Sequence, residues 1–205
     1  ALQGSVLKAI SNNEIWRFLN YNKDKMPVLM GNCVGGGKHG KNNVDIQEFL
    51  IIPKTKNFND AKFVNDFIYK RVGQELNIKN RNFVGAWAPD LSNTAILDIF
   101  ARNVEKASNE IGFDVRIGLD INADNLFKED KYVYKNFSSE KKEKSLSKDE
   151  QQDFINSLIR DYKIAYVEEP FREKDIDTNK RLKVGVISGD DLICGNLERL
   201  KEHKN

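Results

Sequence analysis

Three acidic residues each close an apolar run: Asp120 follows Val115-Arg116-Ile117-Gly118-Leu119, Glu168 follows Ile164-Ala165-Tyr166-Val167, and Asp190 follows Val184-Gly185-Val186-Ile187-Ser188-Gly189. Clustered carboxylates cannot all remain ionised unless a cation neutralises them. Oxygen ligands at about 2.0 to 2.1 Å suit Mg²⁺ or a relative better than zinc. An acid at a strand end also serves turns, which need side-chain acceptors, and taken singly each of the three reads that way. All three together, two of them followed by a second acid (Glu169 and Asp191), point to a cation site. A further candidate is His39, an imidazole at the end of Gly35-Gly36-Gly37-Lys38-His39, where consecutive glycines permit close backbone approach.

The elements that must position these groups follow from periodicity. Pro27 to Met30 reads as a short strand entering the glycine loop, and Gln47 to Pro53 as a second strand with an apolar run suited to burial on both faces. Asn57 caps a helix whose stripe is Phe63, Val64, Phe67, Ile68, Val72 and Leu76. A second helix runs from Asn93 to Glu110 and stops at Gly112. Val115 to Asp120 and Lys131 to Tyr134 are strands, and Ser138 to Lys148 is a surface loop. Ser147 and Glu150 form a capping box that opens a helix through Phe154 and Ile159. The strand Ile164 to Glu168, a short helix from Asp175 to Leu182 and the strand Val184 to Asp191 complete the pattern. An amphipathic helix with Val6, Leu7, Ile10, Ile15, Phe18 and Leu19, broken around Asn12 and Asn13, precedes everything. Alternation of strand and helix predicts a parallel sheet, either doubly wound or a (β/α) barrel. In a barrel the C-terminal strand ends share one face, so the three acids would converge there.

Composition narrows the partners. The chain has 205 residues, 40% hydrophobic and 31% charged, which suits one folded domain and excludes disorder. Its 33 basic and 31 acidic side chains are interspersed and leave a net charge of +2, so no nucleic-acid partner is expected. No run reaches the roughly 18 apolar residues of a membrane span, and the start lacks a secretory signature, so a soluble cytoplasmic protein without a membrane partner is expected. Cys33 and Cys194 lack metal-ligand spacing and read as reduced thiols.

Six stretches then occur in a recognisable order: Gly31-Asn32-Cys33-Val34-Gly35-Gly36-Gly37-Lys38-His39, Gln47-Glu48-Phe49, Ala88-Pro89, Gly118-Leu119-Asp120, Val167-Glu168-Glu169-Pro170-Phe171 and Ser188-Gly189-Asp190-Asp191-Leu192. The chain resembles the enolase (phosphopyruvate hydratase) family, its archaeal members most. The resemblance implies a TIM-like (β/α) barrel of the enolase C-terminal domain type, α/β in class. About five of eight strands are expected, with the N-terminal capping domain and the last barrel strands absent from residues 1–205. It implies Mg²⁺-dependent dehydration of 2-phosphoglycerate to phosphoenolpyruvate, a lyase step of glycolysis and gluconeogenesis. It assigns Asp120, Glu168 and Asp190 as metal ligands, and His39 and Glu48 as catalytic groups beside the departing hydroxyl. Gln47, His39, Glu48, Glu168 and Asp190 are assigned to substrate binding. A homodimer, or another chain completing the barrel, is the expected assembly.

The chain departs from the family at two places. Aligning Gly85 with the family's Gly before Ala-Pro puts Phe83 and Val84 where the family has an Asp-Glu pair, and neither can transfer a proton. The family's lysine base, on a later strand, has no counterpart in these residues. Dehydration by the 205 residues alone is therefore not expected. A non-catalytic enolase-like paralogue that binds metal or a partner, and a different member of the wider superfamily, are the alternatives. Lys38 replaces a small residue of the family, either as a phosphate contact or as a solvated lysine.

Overall fold

The computed structural model describes residues 2–15, 27–40, 44–140 and 142–203. The expected apolar positions Phe18 and Leu19 lie outside them. The N-terminal helix α1 (Leu2–Ile10) ends in a turn where Asn12 and Asn13 both take positive φ, at the expected break. It leaves Val6 and Ile10 exposed, so this apolar stripe does not join the core.

The domain is built on an open five-stranded sheet. Its order is β1 (Gly31–Gly35), β2 (Glu48–Pro53), β3 (Val115–Asp120), β7 (Ile164–Glu168) and β8 (Val186–Ser188). A second, three-stranded antiparallel sheet lies between β3 and β7 in the chain: β4 (Phe127–Lys128), β5 (Lys131–Tyr134) and β6 (Lys144–Leu146). Helices α2 (Phe58–Leu76) and α3 (Asn93–Ile111) separate β2 from β3, and α4 (Lys148–Tyr162) separates β6 from β7. A 3₁₀ segment (Glu173–Arg181) leads to β8, and α5 (Leu197–His203) closes the described chain.

The expectation of a uniformly parallel sheet is corrected at β2, which runs antiparallel to both β1 and β3, while β3, β7 and β8 are mutually parallel. The reason is the number of helices between strands. One crossover helix returns the chain to start a parallel strand, whereas α2 and α3 in succession reverse it twice and deliver β3 opposite to β2. The first strand is also displaced: β1 begins at Gly31 rather than at Pro27. A Cβ on Gly31 would lie 2.0 Å from Asn65 Oδ1 of α2, so the strand starts where its backbone can approach that helix. Within the expected surface loop, Lys144–Leu146 pairs with β5 and buries Leu146, an apolar residue that the surrounding lysines and serines obscure.

The caps are as read from the sequence. Asn57 Oδ1 accepts from the backbone N–H groups of Asn59 and Asp60, Gly112 ends α3 at φ 69°, and Ser147 with Glu150 forms the full capping box of α4. One sheet face is the core. Phe49 and Ile51 of β2, Ile117 and Leu119 of β3 and Val167 of β7 are buried with Val64, Ile68 and Val72 of α2 and Leu97, Phe100 and Val104 of α3. Phe49 meets Phe100 edge to face at 6.2 Å. Since side chains alternate along a strand, this arrangement sends Glu48, Asp120 and Glu168 to the other face.

Candidate active site

The register of the main sheet aligns the acids. Gly35 stands opposite Glu48, Glu48 opposite Asp120, Asp120 opposite Glu168, and Glu168 opposite Ser188. Directly opposite residues share a face with Cβ atoms about 4.5 to 5.5 Å apart. Three carboxylates distant in sequence thus form one row across the end of the sheet, two of them, Asp120 and Glu168, at the C-terminal ends of parallel strands.

Asp120 is the most constrained of them. Its Oδ2 accepts from Gln47 Nε2 at 2.9 Å and its Oδ1 from the Asn122 backbone N–H at 3.0 Å. Asn122 Nδ2 in turn donates to Gln47 Oε1 at 3.0 Å. Burial and the nearby charge of Glu168 push the Asp120 carboxyl up to about 7, against the hydrogen bond from Gln47, and Glu48 and Glu169 push the same way.

Glu48 opens β2, and His39 ends the 3₁₀ turn Gly37–His39 that follows β1. The loop folds tightly onto its own return: Gly36 N–H donates to Gln47 O at 3.0 Å, and a Cβ on Gly36 would meet Val44 O at 2.2 Å. Only a glycine fits, and the resulting approach brings His39 Nδ1 to 3.3 Å from Glu48 Oε1. Burial raises the Glu48 carboxyl, His39 opposes that rise, and Glu168 adds to it. The imidazole meets Phe83 edge-on at 5.1 Å between centroids.

Asp190 is placed differently. It is exposed in the turn after β8, two residues beyond the row, where its carbonyl accepts from the Ile193 and Cys194 N–H groups. The structure thus brings together His39, Gln47, Glu48, Asp120 and Glu168 and leaves Asp190 at the rim. Among the described residues no three His, Cys, Asp or Glu side chains stand close enough to hold a metal ion. The donor set nevertheless fits a hard divalent cation. Asp120 and Glu168 are adjacent and offer only oxygen donors, and a cation would relieve the repulsion that raises Asp120.

Sequence reading passed over three contributors, Tyr166, Ser188 and Asn122. Tyr166 donates its hydroxyl to Glu168 Oε2 at 2.6 Å and also meets Ser188 Oγ. Both lie at strand period two from the acids, a signal available in the sequence. Glu169, buried at φ 45°, accepts from the Leu192 N–H at 2.8 Å and ties the turn that carries Asp190 to β7. Asn122 offers no such signal, since its role rests on a turn at φ 44°.

The family model described as "Enolase, C-terminal TIM barrel domain" matches residues 23–205. The chain belongs to the enolase family. Among its relatives, the enolase of Pyrobaculum aerophilum is 37% identical over 190 residues, covering 87% of this chain and 44% of the relative. That of Methanosphaera stadtmanae is 37% identical over 191 residues, 86% of this chain and 45% of the relative. That of Thermoplasma acidophilum is 31% identical over 216 residues, 98% and 52%. The chain therefore spans about half the length of the enolases it matches. The open five-stranded sheet agrees with the expected portion of the family's barrel. Both cysteines are free thiols, Cys33 buried on β1 and Cys194 exposed. No described helix is long and apolar enough to cross a membrane.

Proposed function

We propose that these residues are the central part of a cytoplasmic enolase whose reaction is Mg²⁺-dependent dehydration of 2-phosphoglycerate to phosphoenolpyruvate. The observation that carries this reading is the cross-strand row of Glu48, Asp120 and Glu168, with His39 against Glu48. Asp120 and Glu168 would hold the cation, with Asp190 completing the set from the turn after β8. Bound there, a divalent cation would supply positive charge against substrate oxygens that gain negative charge during the reaction.

The chain's own residues supply orientation and an imidazole–carboxylate pair. Gln47 and Asn122 fix both oxygens of Asp120, so a ligand meets a carboxylate already aimed. Tyr166 does the same for one oxygen of Glu168. His39 Nδ1 stands 3.3 Å from Glu48 Oε1, an imidazole and a carboxylate beside the position assigned to the departing hydroxyl. Phe83 and Val84, exposed at 78% and 46%, cannot take over an acid's part. With no counterpart to the lysine base either, the 205 residues alone do not dehydrate substrate on this reading. The assembly proposed is a homodimer or a chain that completes the barrel.

One observation favours a second reading. Phe83 lies on the His39 ring where an acid pair would stand, which suits a paralogue that retains cation binding without turnover. Steady-state dehydration by the full-length protein with and without Mg²⁺, together with calorimetric Mg²⁺ titration, separates the two. Mg²⁺-dependent turnover establishes the first reading, and Mg²⁺ binding without turnover establishes the second. Absence of both overturns the assignment of the carboxylate row as a cation site.

A further inference from the structure

A cavity of about 360 Å³ opens between the glycine loop and the β4–β5 hairpin. Gln47 and Asn122, which hold Asp120, form part of its wall, and His39, Glu48, Asp120 and Glu168 do not line it, so it lies beside the carboxylate row. Three lysines from three segments line it: Lys38 of the glycine loop, Lys128 at the end of β4 and Lys135 just after β5. Among the described residues none of the three pairs with a carboxylate. The acid in the lining is Asp45, and its oxygens are already committed. They accept from the Asn136 N–H at 2.7 Å, the Lys135 N–H at 3.1 Å and Asn93 Nδ2 at 2.9 Å.

Among the described residues, three ammonium groups and one occupied carboxylate leave the lining with an excess of two positive charges. Like charges gathered around one space repel unless a counter-charge enters it. A phosphate monoester carries about −1.5 to −2 at pH 7, which matches the excess. The volume lies within the roughly 300 to 1,000 Å³ of small-molecule sites, larger than a bare phosphate requires. The half-buried Asn136, which also lines the cavity, adds an amide to the lysines.

We propose that this cavity is a second ligand site of the chain, taking the phosphate group of a small phosphorylated molecule through Lys38, Lys128 and Lys135. Its wall shares Gln47 with the carboxylate row, its lysines lie outside that row, and the proposal does not depend on the catalytic reading. It also gives Lys38 a role as an anion contact.

The test is calorimetric titration of the full-length protein with inorganic phosphate and with pyrophosphate at low salt. Wild type binds pyrophosphate saturably, and added NaCl weakens that binding. Loss of a charge-assisted contact weakens an anion by about tenfold, so Lys128→Ala/Lys135→Ala lowers affinity by about a hundredfold. Lys128→Glu lowers it further than Lys128→Ala. Lys54→Ala, on a remote exposed lysine, and Glu48→Gln, in the carboxylate row, both retain it. These lysines are exposed, and unchanged thermal unfolding of the variants confirms that they remain folded. Equal affinity in the double variant, loss of binding in Glu48→Gln alone, or no saturable binding of either probe overturns the proposal.

Discussion

Replacing Asp120 with asparagine isolates the electrostatic strain of the carboxylate row. The carboxyl is raised from 3.8 to about 7, so the folded protein holds a proton that the unfolded chain releases across that interval. By linkage, folding stability falls as pH rises through this window. At 1.36 kcal/mol for each tenfold change, the penalty is roughly 2 kcal/mol at pH 5 and about 4 kcal/mol at pH 8. The substituted amide would carry no such penalty. Its oxygen would still accept from the Asn122 N–H, but its amino group would face the donating Nε2 of Gln47. That mismatch costs about 1 to 3 kcal/mol and does not vary with pH. In EDTA, Asp120→Asn is therefore expected to gain about 2 kcal/mol relative to wild type between pH 5 and pH 8, measured by urea denaturation at both. Mg²⁺ is expected to stabilise wild type at pH 8 and to leave the variant unchanged. A difference between the two proteins that is the same at pH 5 and pH 8 would refute the assignment of strain to this carboxyl.

Three further outcomes follow from the same structure. His39→Gln removes the group that opposes the burial-driven rise of Glu48, so the Glu48 carboxyl should titrate at higher pH than in wild type, read by carboxyl infrared or carbon NMR signals. Val84→Glu in the full-length protein restores an acid at the position the family uses, and general acid catalysis is worth about 10² to 10⁴ in rate. An increase in dehydration of that order is expected, and an unchanged rate would show that Val84 does not face the substrate. Gly73→Ala places a methyl group 2.2 Å from Cζ2 of Trp87, against a ring whose Nε1 donates to Tyr69 O at 2.8 Å. Overpacking of this kind costs about 1 to 3 kcal/mol, visible in the denaturation midpoint with the denaturant slope unchanged.

Local chemistry was legible in the sequence because it is written within a few residues. Asn57, Ser147 with Glu150, and Gly112 each act on a neighbouring turn of the chain, and each helix end lies where those residues put it. The strands ending in Asp120 and Glu168 were equally plain, since an apolar run and its polar stop are contiguous. The direction of β2 was not legible from strand and helix alternation alone, because it depends on two consecutive helices reversing the chain before β3. Leu146 was hidden for a different reason: one apolar residue among lysines becomes a buried strand position only once β5 lies beside it.

The candidate site divides along the same line. Places at strand ends, read from the sequence alone, singled out Asp120, Glu168 and Asp190, the glycine loop singled out His39, and Glu48 entered only through the resemblance to enolases. Only the tertiary structure decided that Glu48, Asp120 and Glu168 occupy one cross-strand row, that Asp190 lies beyond it in an exposed turn, and that Phe83 meets His39. It likewise gathered Lys38, Lys128 and Lys135 around one cavity, although about a hundred residues separate the first from the last. The physical reason is range. Caps, turns and alternation act between neighbours in the chain, whereas repulsion between carboxylates or between ammonium groups depends on distance in space, which strand register and the fold alone establish.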